Sequence, residues 1–175
     1  PATAGAGNEI VFDVSADQIP VAFRKAVEEG ISDALMTGVL GNFAIIDTKI
    51  RVIGGELRDN ESSEMAFRSA AVMAVRAAVN ASHPILLEPI MLLEISSPEE
   101  HLGDVMGDLN SRRGRVREIQ ASNDLQLVHA DVPLAEVFGY ATTLRSLTKG
   151  RASYTMEPQA FEPVPAHMTD TILNR

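Results

Sequence analysis

The chain changes its hydrophobic rhythm several times, and each change marks an element. In "NEIVFDV" (8–14) Ile10, Phe12 and Val14 fall on alternate positions, the pattern of a strand with one buried face. In "AFRKAVEEGISDALMTG" (22–38) Phe23, Ala26, Val27, Ile31, Ala34 and Leu35 recur at helical spacing, and Gly38 is a natural C-terminal stop. "FAIIDTKIRVI" (43–53) is β-branched and partly alternating, which predicts a second strand. After the turn-rich "GGELRDNESS" (54–63), Ser62 or Ser63 caps a predicted helix through "EMAFRSAAVMAVRAAVNA", with Glu64 in its first turn favoured by the helix dipole. The many alanines of this helix allow close approach to a sheet. The first half therefore reads β-α-β-α.

The second half opens with "LLEPIMLLEIS", where Ile90, Leu92 and Ile95 sit in an apolar run of strand length. Ser97, Pro98 and Glu100 read as a capping box: N-cap, first helical position and N3. Leu102, Val105, Met106 and Leu109 then predict a one-sided amphipathic helix ended by Gly114. "RVREIQA" and "LQLVHADVP" flank the break "SND" and predict two strands. From Pro133 one continuous helix is expected, with Leu134, Val137, Phe138, Ala141, Leu144 and Leu147 or Thr148 as its apolar stripe and Gly150 as its end. "RASYTMEP" alternates Ala152, Tyr154 and Met156, a final strand. This order, β-α-β-β-α-β, is the split βαβ or ferredoxin-like arrangement. The expected class is α+β, in two layers, with domains at 1–87 and 88–160 and a tail, 161–175, that wraps the surface or frays.

Composition sharpens this. With 45% hydrophobic residues the chain has the means to build a core, and with 5% aromatics and no Trp that core must be aliphatic. Cys is absent, so neither disulfides nor a thiolate zinc site is possible, which fits a reducing, cytoplasmic setting. No run approaches the roughly 18 apolar residues of a membrane span. The opening "PATAGAGNEI" lacks the basic and apolar regions of a signal peptide and reads as a boundary cut from something longer. A net charge of -9 argues against sequence-independent coating of nucleic acid, so any such contact must come from local patches.

Motifs for chemistry are missing. The four histidines, at 83, 101, 129 and 167, are scattered, so no metal site is expected. There is no G-x-x-x-x-G-K-[ST] and no G-x-S-x-G. The glutamate pairs at 28–29 and 99–100 read as solvated helix faces and helix starts. No catalytic residue, metal or cofactor is assigned, and this stretch is not read as an enzyme.

One stretch stands apart from the acidic body. "GDLNSRRGRVREIQ" (107–120) gathers Arg112, Arg113, Arg115 and Arg117 within six positions. Two readings stay open on the residues alone. Cations are favoured in the last turn of a helix and on a solvated strand. Alternatively, arginines pair bidentately with phosphate, and the glycine between them lets a backbone come close. The strands lack the aromatics of a base-stacking RNA-recognition motif, so recognition of RNA backbone and shape fits better than reading of single-stranded bases.

"SSEMAF", "LLEPIM", "SPEEHLGDVMGDLNSRRG" and "VPLAEVFGYATTLRSLTKGRASYTMEP", in this order, are very similar to the C-terminal part of the elongation factor G family, the translational GTPases that drive translocation on the ribosome. The resemblance runs from about Gly7 to Pro158, and residues 1–87 and 88–160 resemble the family's fourth and fifth domains. It implies a left-handed βαβ crossover in the first domain, like that of ribosomal-protein domain-2 folds, which periodicity alone does not indicate. It also implies a cytoplasmic, monomeric, ribosome-binding protein with no membrane contact. GTP and magnesium would be held in a GTPase domain outside this stretch. The fourth domain would enter the small-subunit decoding site beside tRNA and mRNA. The fifth would rest on the large subunit near the sarcin-ricin loop and the GTPase-associated region.

The resemblance also suggests contact residues. Two tip loops, "TGVLGN" (37–42) and "GGELRDNESS" (54–63), would face the decoding site through Gly38, Gly41, Asn42, Gly54, Gly55, Arg58 and Asp59. Ser111, Arg112, Arg113, Gly114 and Arg115, with Arg145, would contact large-subunit RNA; Arg145 and Arg151 are equally open to an internal role. Gly107, Gly139 and Gly150 match family positions and read as close-packing or helix-ending glycines. Arg58 departs from the pattern, because translocating members carry a His there. That departure opens an alternative, a recycling-type paralogue that splits post-termination ribosomes. A ribosome protection protein shares the architecture and is disfavoured by "GYATTLRSLTKGRASYTME".

Overall fold

The computed structural model describes residues 2–58, 61–122 and 124–174. The chain divides into two compact units, Pro1–Leu86 with Pro165–Arg175, and Leu87–Val164.

The first unit begins with strand β1 (Glu9–Phe12), helix α1 (Val21–Thr37), strand β2 (Lys49–Val52) and helix α2 (Glu64–Ala81). β1 and β2 run parallel in register, Glu9 beside Lys49 through Phe12 beside Val52, as a helical crossover permits. The expected helix stripe is the core: Ala26, Val27, Ile31, Ala34 and Leu35 are buried with Phe67, Ala71 and Val75 of α2. Phe23 stacks on Phe67 with ring centroids 4.9 Å apart. Each fully buried Val, Ile, Leu or Phe side chain here contributes about 1.5–3 kcal/mol. The helices meet closely because position 30 is glycine; a Cβ there would lie 2.3 Å from the Arg68 carbonyl oxygen. Ser63 is the cap of α2, its hydroxyl accepting from the Ala66 N–H at 3.1 Å.

The second strand is shorter than 43–53. Residues 43–48 bond elsewhere: the Ile45 N–H donates to the Leu35 carbonyl at 2.7 Å. The Asn8 side chain donates to the Ile45 carbonyl and accepts from the Thr48 N–H, at 2.7 and 3.0 Å. Asp47, at φ 52°, breaks the extended run.

The second unit contains strand β3 (Leu87–Pro98), a 3-10 turn (Glu99–His101), helix α3 (Leu102–Ser111), strands β4 (Arg115–Ser122) and β5 (Leu125–Pro133), short helix α4 (Leu134–Val137), helix α5 (Tyr140–Leu147) and strand β6 (Ser153–Pro163). Its four strands lie in the order β4-β5-β3-β6, with every neighbour antiparallel, as the ferredoxin-like reading requires. Leu93, Ile95, Val128, Ala130 and Val132 of the sheet pack beneath Val105, Leu109, Tyr140 and Leu144 of the helices.

Two sequence expectations fail here, and a third is decided between its alternatives. Ser97 is no N-cap: it is fully buried within β3, opposite Gln126, and Pro98 still pairs with Leu125. The ladder outcompetes the capping box. The helix from Pro133 is broken. Phe138 is extended (ψ 127°) and Gly139 left-handed (φ 75°), so Tyr140 swings into the core and Phe138 out of it. Finally, of the two outcomes expected for the tail, wrapping or fraying, the described residues follow the first, as ordered elements. β6 continues to Pro163, paired with Leu87, and helix α6 (Ala166–Leu173) belongs to the first unit, where Leu173 lies over Gly41. Among the glycines, Gly107 faces open space, so close packing does not explain it, whereas Gly139 and Gly150 take positive φ angles.

Candidate nucleic-acid interface

The arginine corner is built by the end of α3. The chain closes that helix with a left-handed residue, and the residue is Arg113 (φ 58°), not the glycine. The Gly114 N–H donates to the Leu109 carbonyl at 2.8 Å, and the Arg113 N–H to the Asn110 carbonyl at 3.2 Å, a Schellman-like closure. Gly114 is required because a Cβ would stand 2.7 Å from that Leu109 oxygen.

Each arginine of the corner is answered from within the second unit. Arg112 bonds the Asp108 carboxylate at 2.8 Å, the Glu136 carbonyl at 2.6 Å and the Thr143 hydroxyl at 3.1 Å, and lies over the Tyr140 ring. Arg113 holds both oxygens of Glu88, at 2.9 and 2.6 Å. Arg115 bonds Glu162 at 2.6 Å, and Arg117 bonds Asp131 at 2.8 Å. Glu88 and Glu162 face each other across β3 and β6, so these arginines also offset a like-charge pair. Hydrogen bonding by Glu88 raises the Arg113 guanidinium above its ordinary range, and Glu162 does the same for Arg115. Only Ser111 is without such a role; its hydroxyl turns back to the Asp108 carbonyl. Arg112 and Arg113 thus form an internal lock between α3, the sheet and α4–α5, whereas the side chains of Arg115 and Arg117 are paired but exposed.

In the second unit the cations left over lie on α5 and just past its end. Arg145 and Lys149 are exposed, and among the described residues neither pairs with a carboxylate. Arg151 is engaged, bonding His101 at 2.9 Å and pairing with Glu100. From Tyr140 to Ala152 the sequence has no acidic residue, the signal that would have singled out Lys149 in advance.

In the first unit the two expected tip loops are not neighbours. Because β1 and β2 are parallel, segments 13–20 and 53–58 leave the same end, and Gly55 packs against Ile19. Gly38, Gly41 and Asn42 lie at the other end of α1, about 25 Å away for 17 residues. There the chain start is tied down: the Gly5 and Gly7 N–H groups each donate to the Asp47 carboxylate at 2.9 Å. Gly38 has φ 61°, and a Cβ would meet the Phe43 carbonyl oxygen at 1.9 Å, so its glycine serves the turn. Arg58 pairs with Glu56 at 3.1 Å and Glu61 at 3.7 Å, and its N–H donates to the Ser62 hydroxyl at 2.9 Å. All three charged side chains are exposed, so each pair is worth at most about 1 kcal/mol and is exchangeable. Gly54 has open space around it. Asp59 lies outside the described residues.

Comparison with known proteins also splits the chain near residue 84, with the second match running on through residues 165–172 that cluster with the first unit. The family model "Elongation factor G, domain IV" matches residues 1–83, and "Elongation factor G C-terminus" matches residues 85–172. The chain belongs to the elongation factor G family. It is 45% identical over its whole length to "Elongation factor G 2" of Desulfotalea psychrophila and 43% identical to "Elongation factor G" of Chlamydia caviae. It spans 25% of the length of each of these elongation factor G relatives. A crystal structure of a Thermus thermophilus protein superposes on 99% of the chain with a TM-score of 0.90 at 37% identity, and 26% of that chain is covered. The "SRRG" and "LTKGR" motifs that carry the elongation factor G resemblance are therefore, in this chain, two helix closures of one design: the Gly150 N–H donates to the Arg145 carbonyl as that of Gly114 does to Leu109.

Proposed function

We propose that this chain is the ribosome-contacting C-terminal part of a translational GTPase that promotes GTP-dependent movement of tRNA and mRNA. Membership of the elongation factor G family across both units carries this reading. GTP and magnesium belong to a part of the protein beyond these residues. In this reading the first unit acts at the small-subunit decoding site through segments 13–20 and 53–63, where Arg58 exchanges Glu56 for a phosphate. The second unit meets large-subunit RNA through Arg145 and Lys149, which have no internal carboxylate to displace among the described residues. Arg112 and Arg113 position that surface instead of touching RNA. A globally acidic chain with a small free cationic face gives placement without indiscriminate binding.

A recycling role is the second reading, favoured by Arg58 in place of the family's histidine. The experiment uses the full-length protein. Single-round tRNA translocation is compared with splitting of post-termination ribosomes in the presence of recycling factor. Fast translocation supports the first reading, splitting alone supports the second, and neither activity removes both. In ribosome binding, Arg145→Gln and Lys149→Gln should each lower the salt slope by roughly 1. An unchanged slope for both would remove the α5 face from the interface.

A further inference from the structure

Phe138 is the most conspicuous misfit of the second unit. Helical spacing assigns it to the core, yet it is 77% exposed. The cause is built into the backbone. Gly139 takes a left-handed turn that a Cβ would disfavour, Tyr140 fills the core at 1% exposure, and the Arg112 guanidinium bonds the Glu136 carbonyl that the break sets free. An apolar ring of this size is thus held in solvent by three separate devices: a left-handed glycine, a replacement aromatic and a bonded arginine. Phe138 also adjoins the first turn of α5, which carries exposed Thr142, Arg145 and Ser146, is followed by exposed Lys149 and has no acidic side chain. Arg145 sits about 8 Å along the axis from the start of α5, and Lys149 follows just past the helix end.

We infer that Phe138 is a stacking platform for an unpaired nucleobase of RNA, with Arg145 and Lys149 holding the adjoining phosphates. This rests on the ribosome-binding reading above and adds a base contact to it. An aromatic ring beside uncompensated cations matches the chemistry of single-stranded nucleotides, where every base offers a face to stack and every linkage a negative charge. The exposed face of α5 repels cationic partners, and its hydroxyls suit phosphate and ribose oxygens. The open face of the sheet is not used for this purpose. One strand-to-strand row of that sheet carries Glu94, Glu118 and His129 where a base-stacking sheet would carry rings.

The test is binding of the full-length protein, with a nonhydrolysable GTP analogue, to ribosomes. Phe138→Ala should weaken binding roughly tenfold or more, the loss of one base–aromatic stack, with the salt slope and the melting temperature unchanged. Phe138→Tyr should bind as the parent does, and Phe138→Leu should fail like the alanine variant. A photoreactive phenylalanine analogue at this position should cross-link to ribosomal RNA. Normal binding by Phe138→Leu, or cross-linking to a ribosomal protein or to another part of the same chain, overturns the inference. Absence of ribosome binding by the unsubstituted protein would instead remove the functional reading on which it rests.

Discussion

Arg113 ends helix α3 in a left-handed conformation, and from that turn both its amino groups reach the Glu88 carboxylate on β3, at 2.9 and 2.6 Å. One residue is helix cap and helix-to-strand staple at once. Its side chain is 26% exposed and that of Glu88 12%, so the pair is sheltered from solvent competition in a way that the Arg58 pairs are not. Charge that looks available in the sequence is engaged internally in the fold.

Arg113→Ala should therefore destabilise the second unit by about 2–4 kcal/mol, because it strands a largely buried carboxylate. Glu88→Gln should cost a similar amount. A double-mutant cycle by urea denaturation should return a coupling of about 1–3 kcal/mol. Additive losses would show that the two residues act separately.

Two glycines should respond in opposite senses. Gly38→Ala forces a Cβ to within 1.9 Å of the Phe43 carbonyl oxygen at a positive φ, and should cost about 2 kcal/mol or more. Gly107→Ala adds a methyl into open space in the middle of α3, and should stabilise the unit by about 0.5–1 kcal/mol. Thermal melts of the two variants, run side by side, test both; a loss on Gly107→Ala would reveal an unseen neighbour.

Asp47 should give the first unit part of its acid sensitivity. The N–H groups of Gly5 and then Gly7 hold its carboxyl below the ordinary carboxylate range. A folded value below the unfolded value of about 3.9 stabilises the folded state above that pH, and the benefit is lost as pH falls through the folded value. Asp47→Asn should flatten this limb of the stability–pH curve and free residues 2–8, visible as faster amide exchange at Gly5 and Gly7. An unaltered acid limb would show that the clamp contributes nothing.

The final helix should count in the stability of the first unit. Leu173→Ala removes the side chain that lies over Gly41 and should cost about 1–2 kcal/mol. Hydrogen exchange should report the loss at residues 41–48 and leave β3 to β6 protected. Uniform loss across both units would contradict the division.

Local pattern sufficed wherever a segment buries one face by itself. The stripes of α1 and α3, a serine cap at 62 or 63, the β4–β5 pair and the ferredoxin-like order follow from spacing alone, because period and turn chemistry are properties of neighbours in the chain. Long-range competition decided the rest. Ser97 and Pro98 join a ladder with β5, and the turn at Gly139 exchanges Phe138 for Tyr140, which meets Tyr154 edge-on in the core. Apart from Asp108, one helical turn before Arg112, the partners of the arginines, Glu88, Glu136, Asp131 and Glu162, lie 14 to 47 residues away, beyond any local reading. The candidate contacts divide the same way. The sequence by itself determined the two units, their class and the family to which they belong. Only the tertiary structure decided which cations remain free for a partner, since a guanidinium's availability depends on the carboxylates that folding brings within about three ångströms of it, and on how much water is left between them.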